Sequence, residues 1–149
     1  NDSKRTHYYQ RKMAQIVVKM RRIPQPLIGL IHGPAIGGGF TFAMACDIRI
    51  VTKDAYFNIG AINRGMGGGD LGGSHLLPRL IGMSRAAELM YTGRNIGPEE
   101  AERIGLALKI VEEDKLLDSG LELAKIMLLK TGEGSFTIQI LQPNYTYAT

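Results

Sequence analysis

Three consecutive glycines, Gly37-Gly38-Gly39, are the residues of this sequence best placed to act on a ligand. They stand between a short apolar run and a stretch with the small and apolar residues of a buried helix. There, bare backbone amides can point at a ligand and the helix dipole favours negative charge. That arrangement makes an anion site, and it is equally the arrangement of a tight strand-to-helix turn that needs glycine only for close packing. No Lys-Ser or Lys-Thr pair follows the glycines, which excludes a Walker phosphate loop. A second run, Gly67-Gly68-Gly69-Asp70-Leu71-Gly72, fits G-x-G-x-x-G formally. The preceding Asn63-Arg64-Gly65-Met66 is not the buried strand that a dinucleotide-binding turn requires. Asp70 lies among glycines, where an aspartate commonly hydrogen-bonds its own turn. His75 is a candidate base by residue type, but one residue into a helix it reads as a surface or packing histidine. Cys46, the single cysteine, reads as a small apolar packing residue. The seven methionines fall mainly on apolar faces, and no cluster of His, Cys, Asp or Glu has metal-ligand spacing.

These residues need elements to hold them. Met13, Ile16, Val17 and Met20 recur at helical spacing between Lys4 and Arg22, predicting an amphipathic helix that Pro24 and Pro26 end. Leu27 to Ile31 is continuously apolar, as a strand buried on both faces should be. A turn is expected over Gly33 to Gly39, then a buried helix from Phe40 to Cys46 and a β-branched strand from Asp47 to Thr52. Gly60 to Gly73 reads as a shaped loop, the kind of segment that carries function. Short helices are predicted over 76–81 and 84–91, and another opens at Gly97-Pro98-Glu99-Glu100, with Pro at its first position and acids in its first turn. A strand over 108–111 precedes a last amphipathic helix over 116–129, whose apolar face runs through Leu117, Leu121, Ala124 and Leu128. No repeat or linker divides the chain, so one α/β domain, or a piece of one, is expected. Its core spans residues 1–130, and residues 131–149 form an atypical tail where the helical pattern dissolves.

Composition narrows the function classes. The chain has 149 residues, 44% hydrophobic and 21% charged, the profile of a globular domain. No apolar run reaches the roughly 20 residues that span a bilayer, so no membrane span is expected. One cysteine permits no intramolecular disulfide and points to a reducing compartment. A net charge of +4, with basic residues gathered before Arg22, fits a solvated helix face. With no Trp, few aromatics and no zinc or RNA-binding pattern, it does not indicate a nucleic-acid partner. The sequence does not begin with methionine, so residues upstream of Asn1 are expected in the natural protein.

Several ordered stretches together resemble the enoyl-CoA hydratase/isomerase, or crotonase, family. The run from Pro26 through His32-Gly33-Pro34-Ala35-Ile36 to Gly37-Gly38-Gly39, followed by Ala43-Met44-Ala45-Cys46-Asp47-Ile48-Arg49, is similar to that family's signature. Ala55-Tyr56-Phe57, Leu77-Pro78-Arg79-Leu80-Ile81-Gly82, Tyr91-Thr92-Gly93-Arg94 and Ala101-Glu102-Arg103-Ile104-Gly105-Leu106 agree in order and spacing. The similarity covers roughly residues 10 to 130, several motifs over a long stretch being stronger evidence than any one glycine run.

The resemblance implies an α/β fold, a partial crotonase-like spiral of ββα turns without its N-terminal part and usual C-terminal helices. It implies acyl-CoA thioester substrates, with coenzyme A as part of the substrate and no separate cofactor. Assembly as a homotrimer or hexamer of the full-length protein is also implied, in the cytoplasm or the matrix of a mitochondrion or peroxisome. The shared chemistry is stabilisation of a thioester enolate by two backbone amides, one of which matches Gly38; the other belongs to a loop upstream of Asn1. Ile36, Gly37, Thr41 and Ala61 fall at substrate-binding positions. Well-known hydratases carry glutamates at the positions of Thr41 and Ala61, and neither residue here exchanges a proton as a carboxylate does. Asp70 resembles the aspartate of a similar loop in dienoyl-CoA isomerases, which leaves it as the expected acid/base. His32 stands where the family often has asparagine and reads as fixing the turn. The expected function is hydration or double-bond isomerisation of acyl-CoA thioesters. The alternative is a non-catalytic or truncated member retaining only the fold or a subunit interface.

Overall fold

A computed structural model of the chain describes residues 2–60, 70–131 and 139–141. Helix α1 (Asp2–Arg22) leads into strand β1 (Leu27–Ile31), strand β2 (Pro34–Ile36) and helix α2 (Gly38–Ala45). The same order returns in β3 (Ile48–Thr52), β4 (Tyr56–Asn58) and α3 (Gly73–Ile81), with a 3-10 turn at Asp70–Gly72 before α3. Helices α4 (Met83–Thr92) and α5 (Pro98–Arg103), strand β5 (Lys109–Val111), helix α6 (Leu116–Thr131) and strand β6 (Gln139–Leu141) complete the described chain.

Two parallel sheets follow from this repetition. The larger runs in the order β5-β3-β1-β6, and the smaller pairs β2 with β4. Each ββα turn therefore gives its first strand to one sheet and its second to the other, which is the spiral architecture expected. Ile28 aligns with Ile48 in the larger sheet and Ile36 with Asn58 in the smaller.

β1 is buried throughout, as its unbroken apolar run predicts. Successive strand residues face opposite sides: Ile28 and Leu30 pack with Ile50 against Leu116 and Ala124 of α6. Ile31 joins Phe40, Phe57, Leu77 and Leu89 in the main core under α2, α3 and α4. Asp47 fixes the entrance to β1. Its carboxylate accepts the Leu27 N–H at 2.9 Å and pairs with Arg21 at 2.7 Å, tying the end of α1 to the sheet.

Beyond β4, which is not among the expected elements, and α3, which begins at Gly73 and not at residue 76, the observed elements differ from the expected ones in four further places. The turn expected over 33–39 contains β2, because Pro34–Ile36 is held extended by β4, a partner that three residues of sequence cannot announce. α2 begins at Gly38 rather than Phe40, since the Thr41 N–H reaches the Gly37 carbonyl and closes a first turn there. In α6 the face through Leu116, Gly120 and Ala124 packs inward, while Leu117, Leu121 and Leu128 are exposed at 41–49%. The helix has two apolar stripes, and of the predicted face only Ala124 lies on the inner one. Finally, within the tail, Gln139–Leu141 forms a strand beside β1.

Candidate active site

The glycine turn is built from peptide geometry. Gly37 caps α2 with φ 54° and ψ −113°, a conformation that mirrors the ordinary extended one and is open essentially only to glycine. A Cβ there would meet nothing closer than the Ile59 carbonyl at 3.8 Å, so backbone conformation and not crowding requires glycine. The Gly37 N–H donates to the Asn58 carbonyl at 2.9 Å. Its own carbonyl accepts the Thr41 N–H at 2.9 Å and the Thr41 hydroxyl at 3.1 Å.

This bonding orients the next amide. A trans peptide sets N–H and C=O antiparallel, and the Gly37 carbonyl points down α2 toward Thr41. The Gly38 N–H therefore points out of the helix N-terminus, where intrahelical acceptors do not exist. Among the described residues none accepts it. Gly38 is half-buried and Gly39 and Phe40 beside it are buried, so this donor opens from a largely apolar wall. At such a position a developing negative charge is stabilised by a fixed dipole that need not reorganise.

The far end of α2 is positively charged. Arg49 is buried, and its guanidinium donates to the carbonyls of Cys46 at 2.6 Å, Ala43 at 3.3 Å and, from β5's side of the sheet, Leu106. Arg21 donates to the Ala45 carbonyl at 3.2 Å. Both cations satisfy carbonyls at the negative end of the helix dipole. Burial pulls the Arg49 pKa below its ordinary value. Cys46, against the same helix end, donates its thiol to the Phe42 carbonyl and is pushed up to about 11 by burial, which keeps it a neutral packing residue.

Of the expected site residues, Ile36, Gly37, Gly38 and Thr41 lie together on the β2–α2 turn. Thr41 is buried and its hydroxyl is spent on the Gly37 carbonyl, so it braces the turn. Ala61 lies outside the described residues. Asp70 enters through its backbone, in a turn that lies beside both α1 and α2. That turn is unusual in holding Leu71 at φ 56° and Gly72 at φ 94°, consecutive left-handed residues of which the first lacks glycine's freedom. His75 is exposed on α3, its carbonyl accepting from Arg79 at 2.7 Å. His32 is partly buried at the end of β1. Among the described residues no group of three His, Cys, Asp or Glu side chains could hold a metal ion, and no helix is long and apolar enough to cross a membrane.

The structural roles of two residues of this site are not among the expectations from the sequence, although Arg49 closes the run that resembles the family signature. Asn58 ends an apolar strand and Arg49 sits inside another; in both, a polar residue at a buried strand position was the available clue.

Comparison with known proteins gives one consistent answer. The family model described as enoyl-CoA hydratase/isomerase matches residues 1–139. A protein of Mycobacterium tuberculosis named a probable enoyl-CoA hydratase is 50% identical over 104 residues, covering 70% of this chain and 36% of that protein. A solved monofunctional enoyl-CoA isomerase from M. smegmatis is 45% identical with a TM-score of 0.71, over 77% of this chain and 54% of that one. A solved enoyl-CoA hydratase from Bacillus anthracis is 33% identical with a TM-score of 0.80, over 83% of this chain and 48% of that one. The chain thus spans well under half the length of the curated relatives it matches.

Proposed function

Because this chain belongs to the enoyl-CoA hydratase/isomerase family, we propose that the protein binds acyl-CoA thioesters and stabilises their enolates for hydration or double-bond isomerisation. The Gly38 amide is the oxyanion donor, and coenzyme A enters as part of the substrate, with no separate cofactor. The observation that carries the proposal is the doubly held Gly37 peptide, which aims the Gly38 N–H out of α2. The relatives named above include both a hydratase and an isomerase, so both reactions stay within the proposal.

Asp70 supplies proton transfer. For hydration, its carboxylate takes a proton from water as the oxygen bonds to the β-carbon and the double-bond electrons move onto the thioester oxygen. The carboxylic acid then returns that proton to the α-carbon as the enolate collapses. For isomerisation, it removes a proton from the α-carbon of a 3-enoyl thioester and delivers it to the γ-carbon. Either route needs one carboxylate in alternating protonation states. It fits a turn where Thr41 is committed to the Gly37 carbonyl. Assembly as a trimer or hexamer of the natural full-length protein is part of the proposal. The bacterial origin of the relatives favours cytoplasm over an organelle matrix.

A second reading, a non-catalytic member that keeps the fold, is favoured by one observation: the Thr41 hydroxyl is already bonded to backbone. Assays of the full-length protein with crotonyl-CoA and with a 3-enoyl-CoA decide between them. Turnover of either substrate supports the enzyme. Tight binding of both with no turnover supports the non-catalytic reading.

A further inference from the structure

We propose that Asn58 is a positioning residue that locks the glycine turn and Gly60 beside it into one frame; this rests on the oxyanion role of Gly38 proposed above. Asn58 is 6% exposed at the end of β4, in register with Ile36, the residue before Gly37. Its backbone carbonyl holds the Gly37 N–H at 2.9 Å. Its side chain holds three further groups. Oδ1 accepts the Gly60 N–H at 2.6 Å, and Nδ2 donates to the Gly93 carbonyl at 2.9 Å and to Asn95 Oδ1 at 2.6 Å. The amide orientation is dictated by these partners, because Gly60 offers only a donor and Gly93 only an acceptor.

What the side chain joins decides its role. Gly93, at φ 62°, is the left-handed cap of α4, and its segment is braced by Arg94 pairing with Glu88 at 2.8 Å and Glu100 at 2.7 Å. Phe57 and Ile96 exchange both backbone hydrogen bonds at 2.9 Å just beside it. This multiply bonded segment is the anchor. Gly60 is the other end: at φ 71°, it lies so close to the turn that a Cβ would fall 3.1 Å from Ile36 Cγ2 and 3.5 Å from the Gly37 nitrogen. The chain leaves Gly60 toward Asp70. One buried amide therefore fixes both the oxyanion turn and Gly60, from which the chain continues toward the proposed acid/base. Neither the Gly37 N–H nor the Gly60 N–H has another acceptor among the described residues.

Amide hydrogen exchange on the natural full-length protein, together with kinetics, tests this. Asn58→Ala should speed exchange of the Gly37 N–H by about tenfold or more. Leu116→Ala, in the core on the opposite side of the larger sheet, should lower the melting temperature without that local change. Asn95→Ala, which removes only an exposed partner, should give a smaller rise of several-fold and decides the matter if Asn58→Ala does not fold. With a substrate that the wild type turns over, Asn58→Ala should lower kcat about tenfold with KM within about twofold. Unchanged Gly37 exchange in the Asn58 and Asn95 variants, or an equal change in Leu116→Ala, overturns the positioning role. A wild-type kcat in a folded Asn58→Ala protein overturns it too, while leaving the enzymatic reading intact. Absence of wild-type turnover removes the enzymatic reading instead, and the exchange result still decides whether Asn58 holds the turn.

Discussion

At the start of α2, Gly37 is held through its N–H by Asn58 and through its carbonyl by Thr41, and the Gly38 N–H is left without an acceptor among the described residues. Gly38→Val places a branched side chain where the proposed function puts the approaching thioester oxygen. Turnover should fall by about 10² or more with the protein still folded, as loss of one oxyanion donor does; activity within threefold of wild type would show that the donor lies elsewhere. Asp70→Asn keeps size and most hydrogen bonding while ending proton exchange. It should cost about 10² or more in kcat with little change in KM, and near-normal turnover would move the acid/base role to another residue. Cys46 gives a pH prediction. Its ordinary pKa of 9.0 is raised to about 11 in the fold, so its neutral thiol favours the folded state below pH 9, and that advantage is lost as pH climbs through 11. The stake is about 2–3 kcal/mol. The stability gap between wild type and Cys46→Ala, from urea unfolding, should narrow over that range, and a constant gap would refute the assignment. The glycine turn is legible in the sequence because residue type and position between strand and helix coincide, while Gly38 is singled out within it by the family resemblance alone. Asn58 is not legible, because its three side-chain partners come from Gly60, Gly93 and Asn95, and only folding brings the last two near it.

Elements with strong local patterning were the readable ones. β1 is buried on both faces as its apolar run requires, and α5 opens at Pro98 with Glu99 and Glu100 in its first turn, as read. β2 is not legible because its extension depends on pairing with β4, and α6 is legible as a helix while its buried face is not, because both of its stripes are apolar. The inward stripe is identified by Gly120. A Cβ there would stand 2.9 Å from Leu30 Cδ2 and 3.1 Å from Cδ1, so the end of the fully buried Leu30 side chain would have to shift within the core. Glycine lets α6 lie close against β1. Alanine would gain about 1 kcal/mol in helix propensity and lose more to overpacking, typically about 1–3 kcal/mol. Gly120→Ala should therefore destabilise or leave stability flat, and a gain near the full propensity value would mean that α6 sits farther from the sheet.

For the whole molecule, the outer stripe of α6 matters most. Leu117, Leu121, Ile126, Leu128 and Leu129 are all more than 40% exposed, and Met83 and Tyr91 of α4 are exposed at 73% and 80%. Apolar surface on this scale favours association. The 149-residue chain, prepared alone, should form oligomers or aggregates at micromolar concentration, and light scattering showing a uniform monomer would contradict this. The central strand carries a different consequence, in time and not in energy. β1 pairs with β3, which follows it closely, but its other edge pairs with β6, Leu27 opposite Gln139. During synthesis, β1 and β3 can meet long before residue 139 leaves the ribosome, and non-local pairings of this kind are slow to close. Until then, β1 lacks the neighbour that β6 becomes on that edge, so the nascent chain is open to chaperones and to its neighbours on the same message while the residues between Ile31 and Gln139 are made.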